Sequence, residues 1–402
     1  MSTGFGHSLK EFEQITVRPL THRPPKQPVP ASSEAKKVAA ILASADIRVN
    51  GNRVWDIQVH DERFFARVLT EGSIGAGESY MDGWWDVEAL DEFFTRVHRM
   101  DLQHQVTTPG VAWLALKGRL LNRQTRSRSR AVAAEHYDLG NDLYETMLDR
   151  RMQYTCAYWP GAKTLDEAQA NKLNLICRKL GLQPGMRVLE LGSGFGGLAH
   201  FMATEYGCEA VSYNISHEQV AYARRWCAGL PVRFEEKDYR EAAHEPERFD
   251  RVVSIGLCEH VGYKNYRGFM ELVHDRLKPG GLFLLHTIGA NVSSANTDAW
   301  IDKYIFPGGM LPSTAQLGDA TEGLWVIEDW HNFGPDYDPT LIAWWDNFQR
   351  GWPALRERYG DRFYRMWKFY LMGSAGGFRA RRMQLWQLVM SKGDVPSYTP
   401  VR

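Results

Sequence analysis

A glycine-rich turn beside a carboxylate is the first part of this 402-residue sequence that predicts chemistry. The turn reads GSGFGG (192–197), and Glu190 lies two residues before its first glycine. Glycines after a buried strand let the backbone turn tightly and let a ligand approach the next helix closely. Because a carboxylate repels a pyrophosphate, Glu190 favours a ligand that carries an amine or a positive charge. We therefore predict a nucleoside site here, with a dinucleotide site as the alternative.

A second group of reactive side chains comes near the ends of two later predicted strands. Glu259 follows a predicted strand at 251–255, and His286 ends the next one. Because ligands bind at the carboxyl edge of parallel sheets, we expect both side chains in one site. Cys258 and His260 flank Glu259, but three consecutive side chains cannot converge on one ion. The sequence therefore predicts no metal site.

Polar residues after the second and third strands of the same region suit the rest of a nucleoside. Ribose hydroxyls normally meet an acid after the second strand, and here Asn214 and Gln219 offer amide groups instead. Asp238 and Tyr239 follow the third strand, where an adenine is usually held. The alternative is structural, because Ser216 with Gln219 three residues later forms a capping box. Both roles are compatible.

These residues are positioned by strands and helices that alternate from Met186 onward. The predicted strands are 186–191, 209–215, 232–237, 251–255, 282–287, 326–330 and 385–390. Strand–helix units of this length indicate an α/β fold with a doubly wound, mostly parallel, seven-stranded Rossmann-like sheet. Two aromatic helices, at 339–359 and 362–371, complete the prediction for the C-terminal part.

The remainder of the chain has a different composition. We predict a flexible proline-rich leader at 1–34, a small N-terminal α+β domain at 35–110, a basic linker at 111–134 and the catalytic domain at 135–402. The formal net charge is zero, with 48 Lys+Arg against 48 Asp+Glu, which gives no sign of a nucleic-acid binder.

The charge is distributed unevenly, because no acidic residue occurs from Leu102 to Ala134. The basic residues there are Lys117, Arg119, Arg123, Arg126, Arg128 and Arg130. An apolar, tryptophan-bearing stretch at 111–116 precedes them, and this combination predicts a surface for anionic lipid head groups. The alternative is a solvated helix between two domains. No aromatic residues separate the arginines, which disfavours nucleic acid.

Composition also bears on location. The five cysteines form no Cys-x-x-Cys pair, as expected of reduced thiols in the cytoplasm. No apolar run is long enough to span a bilayer, and residues 1–10 lack a secretory pattern. The 14 tryptophans are explained either by packed helices or by an apolar substrate or membrane interface. We predict a cytoplasmic protein that associates peripherally with the inner face of the membrane.

Several ordered motifs resemble those of the cyclopropane-fatty-acyl-phospholipid synthases. They are EHYDLGND (135–142), MQYTCAYW (152–159), EHVG (259–262), LHTIG (285–289), YIFPGG (304–309) and EDWHNFG (328–334). The resemblance begins near Ala43 and includes YMDGWW (80–85), a region that separates phospholipid-acting members from shorter mycolic-acid relatives. The glycine turn resembles the first motif of class I S-adenosylmethionine-dependent methyltransferases, with Ser193 and Phe195 where Cys and Trp are frequent.

The resemblance implies a methyl transfer from S-adenosylmethionine to the cis double bond of an unsaturated phospholipid chain. The resulting carbocation closes to a cyclopropane ring when a base, thought to be a bound bicarbonate ion, removes a proton. The family suggests a homodimer. It also favours a site for acyl chains and the carbocation, rather than packing, as the explanation of the 14 tryptophans. Two other functions stay open: a related methyltransferase that leaves a methyl or methylene branch, and a lipid-binding module without catalysis.

The resemblance also implies the site residues. The bicarbonate cradle would be Cys156, Glu259, His286, Ile288 through its backbone, and Tyr337. The cofactor-binding residues would be Tyr154, Thr155, Glu190, Gly192, Ser193, Gly194, Asn214, Gln219, Asp238 and Tyr239. Cys156 has no His or Lys beside it in sequence to lower its pKa, so we do not expect a nucleophilic cysteine.

Overall fold

The computed structural model describes residues 32–102 and 140–402 of the chain. Nearly all of the predicted leader and the whole basic linker, including Lys117 to Arg130, lie outside the described residues. Within the described part, no helix is both long and apolar enough to cross a membrane.

The N-terminal part combines four helices with one short strand pair, as the predicted α+β composition requires. The helices are α1 (Ser33–Ser44), α2 (Arg63–Glu71), α3 (Ser73–Met81) and α4 (Leu90–Arg99). Strands β1 (Gln58–Val59) and β2 (Trp85–Asp86) pair antiparallel. The Ser32 hydroxyl caps α1 by accepting a hydrogen bond from the Ala35 N–H, which satisfies one of the free donors of the first turn.

The seven predicted strands are confirmed and form one sheet. They are β3 (Arg187–Leu191), β4 (Glu209–Asn214), β5 (Val232–Glu236), β6 (Phe249–Ile255), β7 (Leu277–Ala290), β8 (Val326–Asn332) and β9 (Met383–Ser391). Their order is β5-β4-β3-β6-β7-β9-β8, and β9 runs antiparallel to both of its neighbours. The turn predicted at 278–281 is a bulge inside β7, where the register shifts between Leu277 and Leu282.

Nine α-helices of the described residues after position 140 accompany this sheet. They are α5 (Asn141–Met147), α6 (Leu165–Lys179), α7 (Gly197–Tyr206), α8 (His217–Trp226), α9 (Cys258–Val261), α10 (Tyr266–Arg276), α11 (Ala299–Tyr304), α12 (Thr314–Thr321) and α13 (Tyr337–Arg379). A capping box between Thr164 and Glu167 begins α6. The helix α13 breaks at Gly360, whose φ of 75° is non-helical, at the interruption predicted between the two aromatic helices.

The N-terminal part and α13 share one apolar core. Phe369 of α13 contacts Phe94 of α4 and Trp300, with ring centroids 4.9 and 4.6 Å apart. A Cβ at Gly376 would lie 2.7 Å from the Thr95 nitrogen, so only glycine allows α4 to pack this closely on α13. This shared core holds the N-terminal part against the sheet. The domain boundary predicted at 110 lies outside the described residues and stays a prediction.

Candidate active site

The strand order reverses at β3, which has β4 on one side and β6 on the other. In open α/β sheets ligands bind at this switch point, outside the carboxyl ends of the strands. The glycine turn lies there, with φ values of 92° at Gly192, 50° at Gly194 and 87° at Gly196. A Cβ at Gly197 would collide with the carbonyl oxygen of Arg151, so this turn packs directly against the segment before Tyr154.

Glu190 lies one residue before the end of β3, with its carboxyl group buried. Its Oε2 accepts a hydrogen bond of 2.6 Å from the Ser212 hydroxyl. Burial raises its pKa to about 7, although this hydrogen bond and the Lys172 ammonium act in the opposite direction. A ligand with an amine or a positive charge would stabilise the ionised form, in agreement with the ligand class predicted from Glu190.

Asn214 and Gln219 are brought together beside the glycine turn. The Asn214 amide donates to the Gln219 Oε1 at 2.9 Å and to the Gly194 carbonyl at 3.1 Å. The Ser216 hydroxyl accepts from the Gln219 N–H and so caps α8, but the predicted capping box is only half formed, because the Gln219 side chain accepts from Asn214 instead. These bonds connect the end of β4 to the turn, and ribose contacts for Asn214 and Gln219 remain a prediction.

Asp238 and Tyr239 follow β5 at the start of a short 3₁₀ helix, Tyr239–His244. The Asp238 carboxylate accepts from the Arg240 N–H at 3.0 Å and pairs with its guanidinium at 2.9 Å. The buried Tyr239 ring contacts Phe269 edge-on at 5.5 Å. These contacts are structural, and an adenine contact for either residue stays a prediction.

The segment with Tyr154, Thr155 and Cys156 joins the cofactor region to the reactive side chains. The Tyr154 hydroxyl donates to the Tyr370 hydroxyl at 3.0 Å, and its ring lies 5.2 Å from that of Trp344. The Thr155 hydroxyl accepts a hydrogen bond of 2.9 Å from the Lys172 ammonium. Both side chains therefore have fixed positions near the carboxyl edge of the sheet.

Glu259 lies at the end of β6, on the first turn of α9. Its Oε1 accepts a hydrogen bond of 2.7 Å from the Ile288 N–H. Its Oε2 is buried without a hydrogen-bond partner among residues 32–102 and 140–402. Burial raises the Glu259 pKa to about 7 against the lowering effects of the Ile288 N–H and of the Thr287 hydroxyl. The predicted backbone donor of the cradle thus holds Glu259 in this structure.

His286 lies inside β7 and is 1% exposed. Its Nδ1 lies 3.2 Å from the Gln387 amide nitrogen, and its Nε2 is buried with no partner in the described part of the chain. Burial lowers the His286 pKa well below its usual value, and the Lys172 and Lys179 cations add to this effect. In this orientation of the Gln387 amide its NH₂ group donates to Nδ1, which places the proton of the neutral ring on Nε2, where it can be donated to a ligand.

Cys156 and Tyr337 are also buried near this pair. Burial raises the pKa of the Cys156 thiol well above its usual value, and Asp336 adds to the shift, which agrees with the prediction that Cys156 is not a nucleophile. Burial likewise raises the Tyr337 pKa, with Tyr370, Cys156 and Glu259 adding through space. The structure therefore brings all five predicted cradle residues to one region.

Glu259 Oε2, His286 Nε2 and Gln387 Oε1 are buried atoms of this region without a partner among the described residues, and the first two bear most directly on what it can bind. Glu259 Oε2 accepts or, when protonated, donates a hydrogen bond, whereas the Nε2–H of His286 donates one. Buried polar atoms without partners are costly, so they indicate a missing ligand of complementary polarity. A small anion that carries one hydroxyl fits both atoms.

Sequence reasoning missed one group in this region, the buried lysine of α6. Lys172 is fully buried and contacts Gln153 and Thr155. Its place within the apolar face of α6, next to Leu173 and Ile176, is the signal that could have revealed it. Lysine is almost never fully buried without a partner or a function.

Comparisons with known proteins agree with the geometry. Residues 124–388 match the family model "Mycolic acid cyclopropane synthetase". The chain is 51% identical over 354 residues to the cyclopropane-fatty-acyl-phospholipid synthase of Escherichia coli K12, covering 88% of this chain and 92% of that protein. It is 31% identical to the tuberculostearic acid methyltransferase of Mycobacterium tuberculosis, covering 82% of this chain and 81% of that protein.

Solved structures give the same result. A cyclopropane synthase from Mycobacterium tuberculosis aligns with a TM-score of 0.61 and 28% identity, covering 65% of this chain and 98% of that one. A mycolic acid cyclopropane synthase complexed with SAH and CTAB aligns with a TM-score of 0.60 and 30% identity, over 65% of this chain and 98% of that one. Coclaurine N-methyltransferase shares the fold alone, with a TM-score of 0.65 and 19% identity over 78% of this chain and 98% of that one.

The family model spans the sheet, the glycine turn and every predicted cradle residue, and the E. coli relative extends the likeness through most of the N-terminal part. Similarity over this much of the chain indicates that this protein and these relatives share a common ancestor. The chain therefore belongs to the cyclopropane-fatty-acyl-phospholipid synthase family of S-adenosylmethionine-dependent methyltransferases.

Proposed function

We propose that this enzyme transfers the methyl group of S-adenosylmethionine to the cis double bond of an unsaturated phospholipid chain and closes a cyclopropane ring. One observation carries the proposal: Glu259 and His286 present two buried, unpartnered polar atoms at the strand edge that also holds the glycine turn. The relatives that act on lipids support the substrate class.

The alkene is a weak nucleophile, so the protein contributes mainly by alignment. Holding the double bond against the sulfonium methyl in a pocket without water lowers the entropic cost of the reaction. Methyl transfer leaves a carbocation on the chain, and aromatic faces stabilise such a charge. Trp344 contacts both Tyr154 and Tyr337, with ring centroids 5.2 and 6.0 Å apart, and these rings lie beside the proposed anion site.

We propose that Glu259, His286 and Tyr337 hold a bicarbonate ion, with Cys156 and Ile288 completing its surroundings. Bound bicarbonate supplies a base for the proton that leaves the transferred methyl group. The charge balance is acceptable because the Glu259 pKa is about 7, so its carboxyl group can take up a proton when an anion arrives. Neutral His286 donates its Nε2–H, and Ile288 keeps Glu259 in place through its N–H.

A methyl-branching reaction is the second candidate, because a tuberculostearic acid methyltransferase and fatty acid methyltransferases are among the relatives at 31–33% identity. The 51% identity to a cyclopropane synthase favours ring closure. Expression in a bacterium that lacks cyclopropane lipids, followed by lipid extraction, tests the choice. Ring closure predicts a gain of one CH₂ with loss of the double bond in chemical derivatisation. A lipid that gains the carbon and still reacts as an alkene would favour the branching reaction.

We further propose that the enzyme acts as a homodimer at the cytoplasmic face of the membrane. The basic segment from Lys117 to Arg130 supports this location, since cationic segments next to apolar residues bind anionic lipid surfaces. Sedimentation equilibrium measures the oligomeric state. A monomer at micromolar concentration with full activity would contradict the dimer.

A further inference from the structure

A buried lysine links the cofactor region to the proposed anion site. Lys172 of α6 is 0% exposed, and its ammonium donates to the Gln153 Oε1 at 2.6 Å and to the Thr155 hydroxyl at 2.9 Å. No carboxylate of residues 32–102 or 140–402 lies within 4.0 Å of this ammonium. The positive charge is therefore stabilised by neutral oxygen acceptors, although a buried charge without a counterion is costly.

A second residue of α6, Gln169, also binds the segment at 153–155. The Gln169 amide, one turn before Lys172, donates to the Thr155 carbonyl at 2.8 Å and to the Gln153 carbonyl at 3.4 Å. Residues three apart on a helix lie on one face. The backbone at 153–155 is thus held through Gln169, and the side chains of Gln153 and Thr155 are held through Lys172.

Gln153, which Lys172 holds, packs against the glycine turn. A Cβ at Gly197 would collide with the Gln153 amide, so Gln153 lies directly between Lys172 and the start of α7. On the other side, Thr155 Cγ2 would lie 3.1 Å from a Cβ at Gly256, which follows β6. Moving Lys172 would therefore disturb both the cofactor turn and the strand end before Glu259.

The positive charge of Lys172 also affects the pKa of a proposed site residue, His286. Its pKa is lowered to about 8 by burial, while Asp149, Cys156 and Glu190 act to raise it. The ammonium in turn contributes to the low pKa of His286. The titratable groups that face Lys172 are therefore Asp149, Cys156, Glu190 and His286. A cation at this place favours a bound anion and keeps His286 neutral.

We propose that Lys172 is a positioning residue for methyl transfer, which orients Gln153 and Thr155 against the cofactor turn and supplies the positive charge that favours the anion beside His286. The anion part of this inference rests on the proposed function, whereas the orientation of Gln153 and Thr155 does not.

The test compares Lys172→Met with Lys179→Met. Lys179 is the control for the hydrogen bonds to Gln153 and Thr155, because it lies two turns further along α6, is equally buried, has a pKa lowered to about 8, and pairs with Asp329 at 3.3 Å, away from the segment at 153–155. The Lys179 cation also lowers the His286 pKa, so a loss shared by both variants is electrostatic and a loss confined to K172M comes from the lost hydrogen bonds. We expect K172M to lower kcat about tenfold or more and to raise the bicarbonate concentration needed for half-maximal rate. Lys172→Arg, which keeps the charge, should recover part of both losses.

The pH profile separates this role from simple packing. Lys172 is protonated below about pH 8, so the wild-type rate should fall as the pH rises through 8. That decline should persist in K179M and disappear in K172M. A wild-type rate, bicarbonate dependence and pH profile in K172M would overturn the inference, as would loss of the decline in K179M alone.

Binding of S-adenosylhomocysteine, measured by calorimetry without lipid, separates the inference from the proposed function. K172M should bind it more weakly than K179M does, whatever the lipid product is. If the wild-type enzyme makes no cyclopropane lipid, the proposed function fails while this comparison still tests Lys172. If K172M does not fold, Thr155→Val replaces it, and unchanged affinity in T155V would contradict the positioning role.

Discussion

At the scale of single residues, the proposed chemistry depends on the unequal hydrogen bonding of the two carboxyl oxygens of Glu259. One carboxyl oxygen accepts from Ile288, and the other has no partner among the described residues. The sequence predicted that Glu259 and His286 share a site, because the carboxyl ends of parallel strands meet at one edge. It could not predict their environment: the burial that shifts both pKa values depends on side chains from β9 and α13, which are distant in sequence.

Glu259→Gln and Tyr337→Phe should each lower kcat by about 100-fold or more, because both remove hydrogen-bonding capacity from the site where a proton must be accepted. Affinity for S-adenosylhomocysteine should change little, since neither side chain contacts the glycine turn. Steady-state kinetics with unsaturated liposomes and calorimetry give the two quantities. Wild-type kcat in either variant would contradict the placement of the anion site.

The buried carboxyl group of Glu259 should also affect stability. Its pKa of about 7 is raised above the unfolded value, so the folded state holds the proton more tightly. Between about pH 4.5 and 7 the folded state binds more protons than the unfolded state, and its stability therefore falls as the pH rises. Glu259→Gln removes this ionisation and should raise the melting temperature at pH 8 but not at pH 5. Thermal unfolding at both pH values measures the difference, and equal shifts would contradict a buried ionisable group.

At the scale of elements, the strands were predictable and the contacts between distant elements were not. The alternation of apolar strand patterns with helical segments from Met186 onward located all seven strands. The insertion of β9 between β7 and β8 pairs residues that are about 100 positions apart for β7 and about 60 apart for β8, and no local pattern encodes either pairing. The burial of Lys172 was likewise missed, because it depends on the segment at 153–155 folding over α6.

The glycine turn packs closely on the segment at 151–153, so adding one methyl group to the turn should weaken cofactor binding. Gly197→Ala should weaken S-adenosylmethionine binding about tenfold or more, because its Cβ collides with the Arg151 carbonyl and displaces Gln153. Gly268→Ala is the control: it lies on the exposed face of α10 with no atom near its added Cβ, and it should stabilise the helix by about 0.5–1 kcal/mol. Calorimetry and thermal unfolding compare the two variants. Equal cofactor affinity in both would show that the turn tolerates displacement.

At the scale of the whole molecule, the N-terminal part is attached to the catalytic sheet through α13. Arg379 pairs with Asp91 of α4 at 2.7 Å and with Asp338 at 2.8 Å, beside the aromatic contacts of Phe369.

The zero net charge of the chain says little about membranes, because the basic residues from Lys117 to Arg130 are concentrated in one acid-free segment. Many of the tryptophans are core residues, among them Trp85, Trp300 and Trp367, so packing rather than an acyl-chain site explains these three.

Binding to liposomes should therefore depend on charge. Association with vesicles that contain anionic lipid should weaken as the salt concentration rises, and replacing Arg123, Arg126 and Arg128 with Gln should weaken it further at low salt. Co-sedimentation at several salt concentrations measures both effects. Binding that does not respond to salt would assign the membrane contact to the N-terminal part instead.

The most direct test of ring closure uses S-adenosylmethionine whose transferred methyl group carries three deuterium atoms. The enzyme is incubated with liposomes of an unsaturated phospholipid, and the acyl chains are analysed by mass spectrometry. Ring closure removes one deuteron, so we expect a product that retains two deuterium atoms and has no double bond. A product that retains all three would contradict proton removal in the site formed by Glu259 and His286.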